Sequence, residues 1–417
     1  MRFALALRGR WPLAAGYPEP WTGSPVYPDL YRAIAPPPVR PVGFDSDRAA
    51  HLALTGPFSL LTCAMSGGFE IDLRHIAGLE PRPPFATAGG VARFIRVNDH
   101  TLRTLEIEFE GRRFCPGEPE YMAIERRFLT GLNTHTTLIE HLVNIHLIAA
   151  GALAISAVEA FRHDHALREL LQPFLIEVVR INNTYVDGLI REETSNVPQY
   201  TGYSLSTVHR TIDLAARRFD LARMDPERRA IIQGTGDQPG FATVQSAIEL
   251  WHAFRDMVRA YVGACAAEVD EPMRTWVRAL DAHVPNGVCR ALHIEDPSEV
   301  TLEQVAYLVA LLAYVSSVGH HIVADLTRDY MLQFDAMPPA VARDGTLPLG
   351  PILEKQNSVT IATVTRYRLL DEGMVFSSPA GREVWEQFRA RLREVERRTQ
   401  GETAVIRASR VPSSAHG

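Results

Sequence analysis

Lysine is almost absent from this 417-residue chain: Lys355 is the only one, and arginine carries the rest of the positive charge. With 43 basic against 49 acidic residues the formal charge is −6. The basic footprint of a nucleic-acid binder is missing. Cysteine is scarce too. Cys63, Cys115, Cys265 and Cys289 are scattered, with no C-x-x-C pair. A chain of this size does not need disulfides to hold its core, so free thiols in a reducing, cytoplasmic setting are expected. Arg8 and Arg10 break the apolar start of the chain, which argues against a secretory signal. The longest uncharged apolar runs, residues 147–158 and 305–319, are too short to span a bilayer and fit buried core helices. The sequence holds no P-loop, no G-x-S-x-G, no G-x-G-x-x-G and no D-D-x-x-D. Those absences argue against a phosphate-cradling loop, a nucleophile elbow, a dinucleotide fold and a terpene cyclase.

What is present is an ordinary globular composition, 46% apolar and 22% charged. Residues 1 to about 85 are rich in proline, glycine and aromatics, as in APPPVRPVG and PRPPF, and read as irregular, surface-wrapping chain. VARFIRV and TLEIEFEG then alternate apolar and polar residues around NDH, which predicts a hairpin or small antiparallel sheet within 86–114. From residue 118 on, apolar residues recur at i, i+3, i+4, i+7 through 138–160, 167–181, 244–267, 302–334 and 383–397. Loop signals interrupt residues 182–240. The expected architecture is mainly α: residues 1–117 form an irregular segment with a small β element, 118–417 a helical region, and the whole a single domain.

Histidine is the informative residue. THTTLIEHLVNIHLIAAGALA carries His135, His141 and His146, and YVSSVGHHIVADLTRDYML carries His320 and His321. An imidazole in an apolar helix needs partners for its nitrogens, and a metal ion is one such partner. A hydrogen-bonded core histidine is the commoner reading of any one of them. On an ideal α-helix, at about 100° per residue, His141 and His146 point about 140° apart, and His135 and His141 about 120° apart. Neither pair can share an ion unless the helix widens locally, as at a π-bulge. Trp251 and Trp276 read as core. Asn182 and Asn183 read as a helix cap, and the FRHDH stretch with His165 as another.

HLVNIHLIAAG resembles the metal helix of the lipoxygenases, in which an H-x4-H pair is followed by a further histidine five residues on. HALRELLQPFLIEVVRIN is similar to the segment after that helix. AIELWHAFRDMVRAYV with DEPMRTWVRAL is similar to the family's Leu-Trp helix and the segment after it. SSVGHHIVADLTRDYMLQFDAMPP is similar to the second metal helix and its tail. The resemblance runs from about residue 128 to the C-terminus and covers a catalytic domain alone.

The resemblance implies one non-haem iron, in some members manganese. It would be held by three histidines, a variable fourth position and a terminal main-chain carboxylate. Residue by residue, His141 matches the second histidine of the first helix, and His146 the trailing one, expected to orient from outside the ligand set. The first histidine falls on Thr136, with His135 one residue away. His320 matches the third histidine. The variable position falls on Ala324, or on Asp325 if counted from His321, and the terminal position on Gly417. The expected ligands are therefore His135, His141, His320, Asp325 and Gly417, with His146 and His321 behind them. His141 and His320 are expected to be catalytically essential. The implied activity is insertion of dioxygen into a polyunsaturated fatty acid or related apolar substrate. The alternatives are other oxidative or hydroperoxide-rearranging iron chemistry on a small metabolite, and a metal-free helical protein that binds a ligand or partner. No nucleic-acid partner is expected.

Overall fold

The computed structural model describes residues 46–327, 330, 337–347, 368–371, 376–398 and 406–415. Five strands form one antiparallel meander in sequence order: β1 (Cys63–Met65), β2 (Gly68–Leu73), β3 (Gly90–Asn98), β4 (Thr101–Phe109) and β5 (Arg112–Phe114). The alternation in the sequence sets the long β3–β4 pair, with Val91 opposite Glu108 and Arg96 opposite Leu102. Phe94, Leu102, Ile107 and Phe109 turn to the core. On the other face Arg93 bridges Glu106 at 2.6 Å and Glu108 at 3.0 Å. Strands β1 and β2 lie in the region expected to be irregular. GFEIDL alternates as a strand should, but the proline-rich flanks mask so short a signal.

Helix α1 (Arg48–Leu54) joins the sheet through one carboxylate. Asp47 accepts from Ala50 N at 3.1 Å as the N-cap, and from Thr104 N at 2.7 Å and Thr104 Oγ1 at 2.6 Å on β4. Cap and cross-link thus share a side chain.

Two long helices form the centre. Helix α2 spans Tyr121–Ala160 and is π-helical over His135–Ala150. Helices α3 (Ala166–Leu175), α4 (Val178–Leu189), α5 (Leu205–Arg218) and α6 (Pro226–Gln233) follow. Then come α7 (Ala242–Cys265), α8 (Glu271–His283) and the second long helix, α9, which spans Leu302–Leu326. A capping box starts α9: Gln304 N donates to Thr301 Oγ1 and Thr301 N to Gln304 Oε1. Helix α9 also widens, over Val315–Gly319 and Ile322–Leu326. Helix α10 (Pro379–Arg398) packs with α9 against α7.

By length and composition alone α2 and α9 are long and apolar enough to cross a membrane, longer than the apolar runs within them suggest. Within the fold, 78% and 89% of their most apolar windows are buried. Protein packs on α9: Trp251 and Phe254 of α7 stand edge-on to Tyr314 at 5.7 and 5.8 Å. Trp251 and Trp276 are fully buried, as core residues should be. Helices α5 and α6 fall where loop signals dominate the sequence. Their apolar stripes are short, and Asp225 with Pro226 supplies a start signal close to that of a turn.

Candidate metal centre

In an α-helix, residues five apart diverge. The π-helical stretch of α2 bonds i to i+5, which brings such residues back into register. His141 and His146 are five apart within it. His320 sits on α9 between that helix's two widened turns. All three rings are buried. Their Nε2 atoms form an equilateral triangle, 3.1 Å on each side. The ring centroids stand farther apart, at 4.7, 4.9 and 4.9 Å. The rings therefore fan outward from the nitrogens, and the nitrogens face a common point.

A partner within the triangle would not satisfy this arrangement. An N–H aimed at the centre meets neither neighbour near the straight line a good hydrogen bond prefers. A metal ion would. Two nitrogens bound at right angles to one ion at about 2.1 Å lie about 3.0 Å apart, so the triangle has the spacing of a facial ligand set. Among the described residues this is the one group of three that could hold an ion.

The protonation states suit that role. Burial pushes the His141 pKa down to about 4, against a smaller upward pull from Asp325, so the ring is neutral near pH 7. His146 is oriented by Asn182 of α4. Asn182 Nδ2 donates to the His146 carbonyl at 2.5 Å, so its Oδ1 faces the ring and accepts from His146 Nδ1 at 3.1 Å. With the proton on Nδ1, Nε2 of the neutral ring turns its lone pair to the triangle. The chain reaches this position after Glu177, a non-glycine residue at φ 59, redirects it between α3 and α4.

Two expected ligands stand elsewhere. His135, also in the widened stretch, is six residues from His141 and leaves on another face. Its Nδ1 lies 2.8 Å from His75 Nε2, and its Nε2 lies 3.5 Å from Glu140. His146 occupies the place expected for His135, because i+5 bonding favours the five-residue spacing over the six-residue one. Asp325 meets His321 Nδ1 at 2.9 Å rather than the triangle. His321 is buried as well, with Asp325 as its neighbour. Ala324 offers no donor atom. Gly417 lies outside the described residues. The chain before it runs through the interior: Val411, Ser413, Ser414 and Ala415 are buried, and Ser414 Oγ donates to the Ile176 carbonyl at 2.7 Å.

Asn182 reads in the sequence as a cap, and only the tertiary fold shows it gripping a ring 36 positions away. His165 is a cap indeed, accepting from Leu167 N at 3.2 Å.

No protein-family model and no curated protein matches the chain by sequence. Solved structures do match. A lipoxygenase deletion variant crystallised anaerobically with arachidonate superposes with a TM-score of 0.85 at 15% identity, over 100% of this chain and 74% of the other. The fold is that of the lipoxygenases. A coral 8R-lipoxygenase matches 91% of the chain with a TM-score of 0.80 at 15% identity, over 68% of its own length. A calcium-dependent 11R-lipoxygenase matches 88% with a TM-score of 0.75 at 14% identity, over 65% of its own length. The lipoxygenase resemblance read from the histidine helices is thus matched by the backbone, and a histidine triangle stands on those two helices.

Proposed function

We propose that the chain is a non-haem iron dioxygenase of lipoxygenase type, acting on a polyunsaturated fatty acid or similar apolar substrate with O2. The observation that carries this reading is the triangle of three Nε2 atoms, 3.1 Å apart, on the two central helices of a lipoxygenase fold. Imidazole suits iron and manganese alike, so either fits the donor set. An ion held there supplies one-electron oxidation of an activated C–H bond and a route to dioxygen chemistry.

The chain's own residues do the rest. His141, His146 and His320 hold the ion, and burial keeps His141 free of a competing proton. Asn182 fixes the tautomer and angle of His146. Packing of α2, α4 and α9 buries the three rings away from water, which strengthens every charge interaction among them. Three imidazoles bring no negative charge to the ion in this interior, and the carboxylate of Gly417 is the proposed anionic partner. The buried course of residues 411–415 supports that route.

The test is metal content together with oxygen uptake on linoleate or arachidonate. One iron or manganese per chain with hydroperoxide formation supports the reading. Bound iron without oxygen uptake moves the protein to other oxidative chemistry. Absence of any transition metal from protein supplied with iron sinks it.

A further inference from the structure

The carbonyl of His146 accepts from two helices. The Gly151 N–H of α2 donates to it and closes the last wide turn of the π-helical stretch. Asn182 Nδ2 of α4 donates to it at 2.5 Å, which leaves Asn182 Oδ1 to take the His146 ring at 3.1 Å. Gly151 is buried, and its backbone is ordinary right-handed helix at φ −61 and ψ −50. Nothing in that conformation calls for glycine, and glycine inside a helix is less stable than alanine. The reason lies in its surroundings. A Cβ placed on Gly151 would stand 3.3 Å from Asn182 Nδ2 and 3.2 Å from the His146 carbonyl oxygen. The amide and a side chain at 151 thus compete for one space.

We propose that Gly151 is a positioning residue of the triangle: the space left by its missing side chain seats the Asn182 amide on the His146 turn, and through that amide sets the tautomer and angle of the ring. The inference rests on the metal-centre reading above. The geometry also grades the substitutions. A single methyl asks the amide to yield by a few tenths of an ångström. The Nδ2–carbonyl bond, at 2.5 Å, can lengthen that much and stay within the usual range, so alanine is tolerated. The γ-methyls of valine take up the space the amide needs. Valine is no poorer a helix former than glycine, so the helix itself survives the change. With the amide displaced, the His146 Nδ1 proton loses its acceptor, and the ring is free to turn or to carry its proton on Nε2.

The experiment reads the His146 tautomer by NMR in the metal-free full chain carrying isotope-labelled histidine, with the signal assigned by its loss in His146→Gln. Iron affinity is then measured by competition with a chelator. Wild type, Gly151→Ala, Gly151→Val, Asn182→Ala and the double variant Gly151→Val with Asn182→Ala are compared. Wild type and Gly151→Ala are expected to hold the proton on Nδ1. Gly151→Val should shift it toward Nε2, as Asn182→Ala does, and weaken iron binding about tenfold or more, the loss typical of a contact that supports a ligand. The double variant should match Asn182→Ala in both readings, because the deleted amide vacates the space that valine fills and the two losses do not add.

An unshifted tautomer in Gly151→Val overturns the proposal. So does a double variant that binds iron more weakly than Asn182→Ala alone, since Gly151 then acts by another route. If Gly151→Val fails to fold, a folded double variant supports the proposal and an unfolded one overturns it. A wild type that binds no iron, with the tautomer shifting as expected, sinks the metal reading and leaves the coupling of Gly151 to the His146 ring in place.

Discussion

At His141, His146 and His320 three Nε2 atoms meet at 3.1 Å, with no carboxylate in the group among the described residues. At His75 and His135 two rings meet at 2.8 Å, with Glu140 and then Arg229 next in line. Both clusters draw on α2, and both lie in a setting that keeps a ring neutral. They differ in topology. The second cluster is an open chain, in which each ring has a neighbour it can donate to or accept from. In the first, three Nε2 atoms converge on one point, where no single hydrogen bond joins all three. A hydrogen-bonded chain is complete without an ion; a convergent triangle is not. Histidine count therefore says little about a metal site, and the direction of the nitrogens decides it.

The largest effect that can break this comparison is on metal content. Replacing His146 or His320 by alanine removes a third of the triangle and should leave less than about a tenth of the wild-type metal, since removal of a first ligand typically costs more than the 10–100-fold seen for its supports. His135→Ala, in the open chain, should retain the full amount. Metal analysis of the three variants decides the matter. Metal lost from His135→Ala and kept in His146→Ala would reverse the assignment.

Stability should respond the other way round. Burial opposes the charge on Glu140, but Arg229 and then His135 outweigh it and hold its carboxyl well below the usual carboxylate range. Glu140→Ala leaves Arg229 half-buried without its counter-charge, which typically costs about 3–5 kcal/mol when a buried pair loses one member. The urea midpoint should fall accordingly while metal content per folded chain stays at the wild-type level. An unchanged midpoint would show that water already satisfies Arg229.

Next in size is Asn182→Ala. It frees the His146 ring to rotate and to move its proton to Nε2, where it blocks the lone pair. Loss of such a supporting contact costs about 10–100-fold in metal affinity. Competition with a chelator reads it directly, and affinity equal to wild type would reduce Asn182 to a helix contact.

Asn182 also marks the limit of what the sequence conveys. The two histidine helices are legible from periodicity, and β3–β4 from alternation, because both patterns repeat along the chain. His141 and His320 follow from their place in apolar helices. The exchange of His146 for His135 does not follow. It turns on whether the helix bonds i+4 or i+5, and no residue type in HTTLIEHLVNIHLIAA announces the wider turn. Asp325 looks like a ligand on spacing alone, yet His321, four residues before it on the same helix, is close enough to take it first. The Asn182–His146 and Glu140–Arg229 contacts join residues 36 and 89 positions apart, beyond any local pattern.

The smallest effect concerns pH. Desolvation of the partly covered ring and then His135 outweigh the upward pull of Asp72 and lower the His75 pKa from 6.5 to about 4. The folded chain thus binds this proton less tightly than the unfolded chain does. Above about pH 6.5 neither state holds it, and His75 contributes no pH dependence. Between about 6.5 and 4 the unfolded chain takes up a proton that the folded chain refuses, so stability falls as pH falls. Below about 4 both states are protonated and the contribution levels off. His75→Gln removes the titration and keeps a side chain able to hydrogen-bond His135. At neutral pH the variant should be slightly less stable than wild type, by about 1 kcal/mol for an imperfect replacement of one hydrogen bond. On acidification the wild type should lose stability faster, and the two curves should converge or cross near pH 4. Because His141 titrates alike in both proteins, the difference between the curves isolates His75. Melting temperatures of metal-free protein from pH 7.5 to 4 test this, and parallel curves would mean that His75 is as hydrated in the folded chain as in the unfolded one.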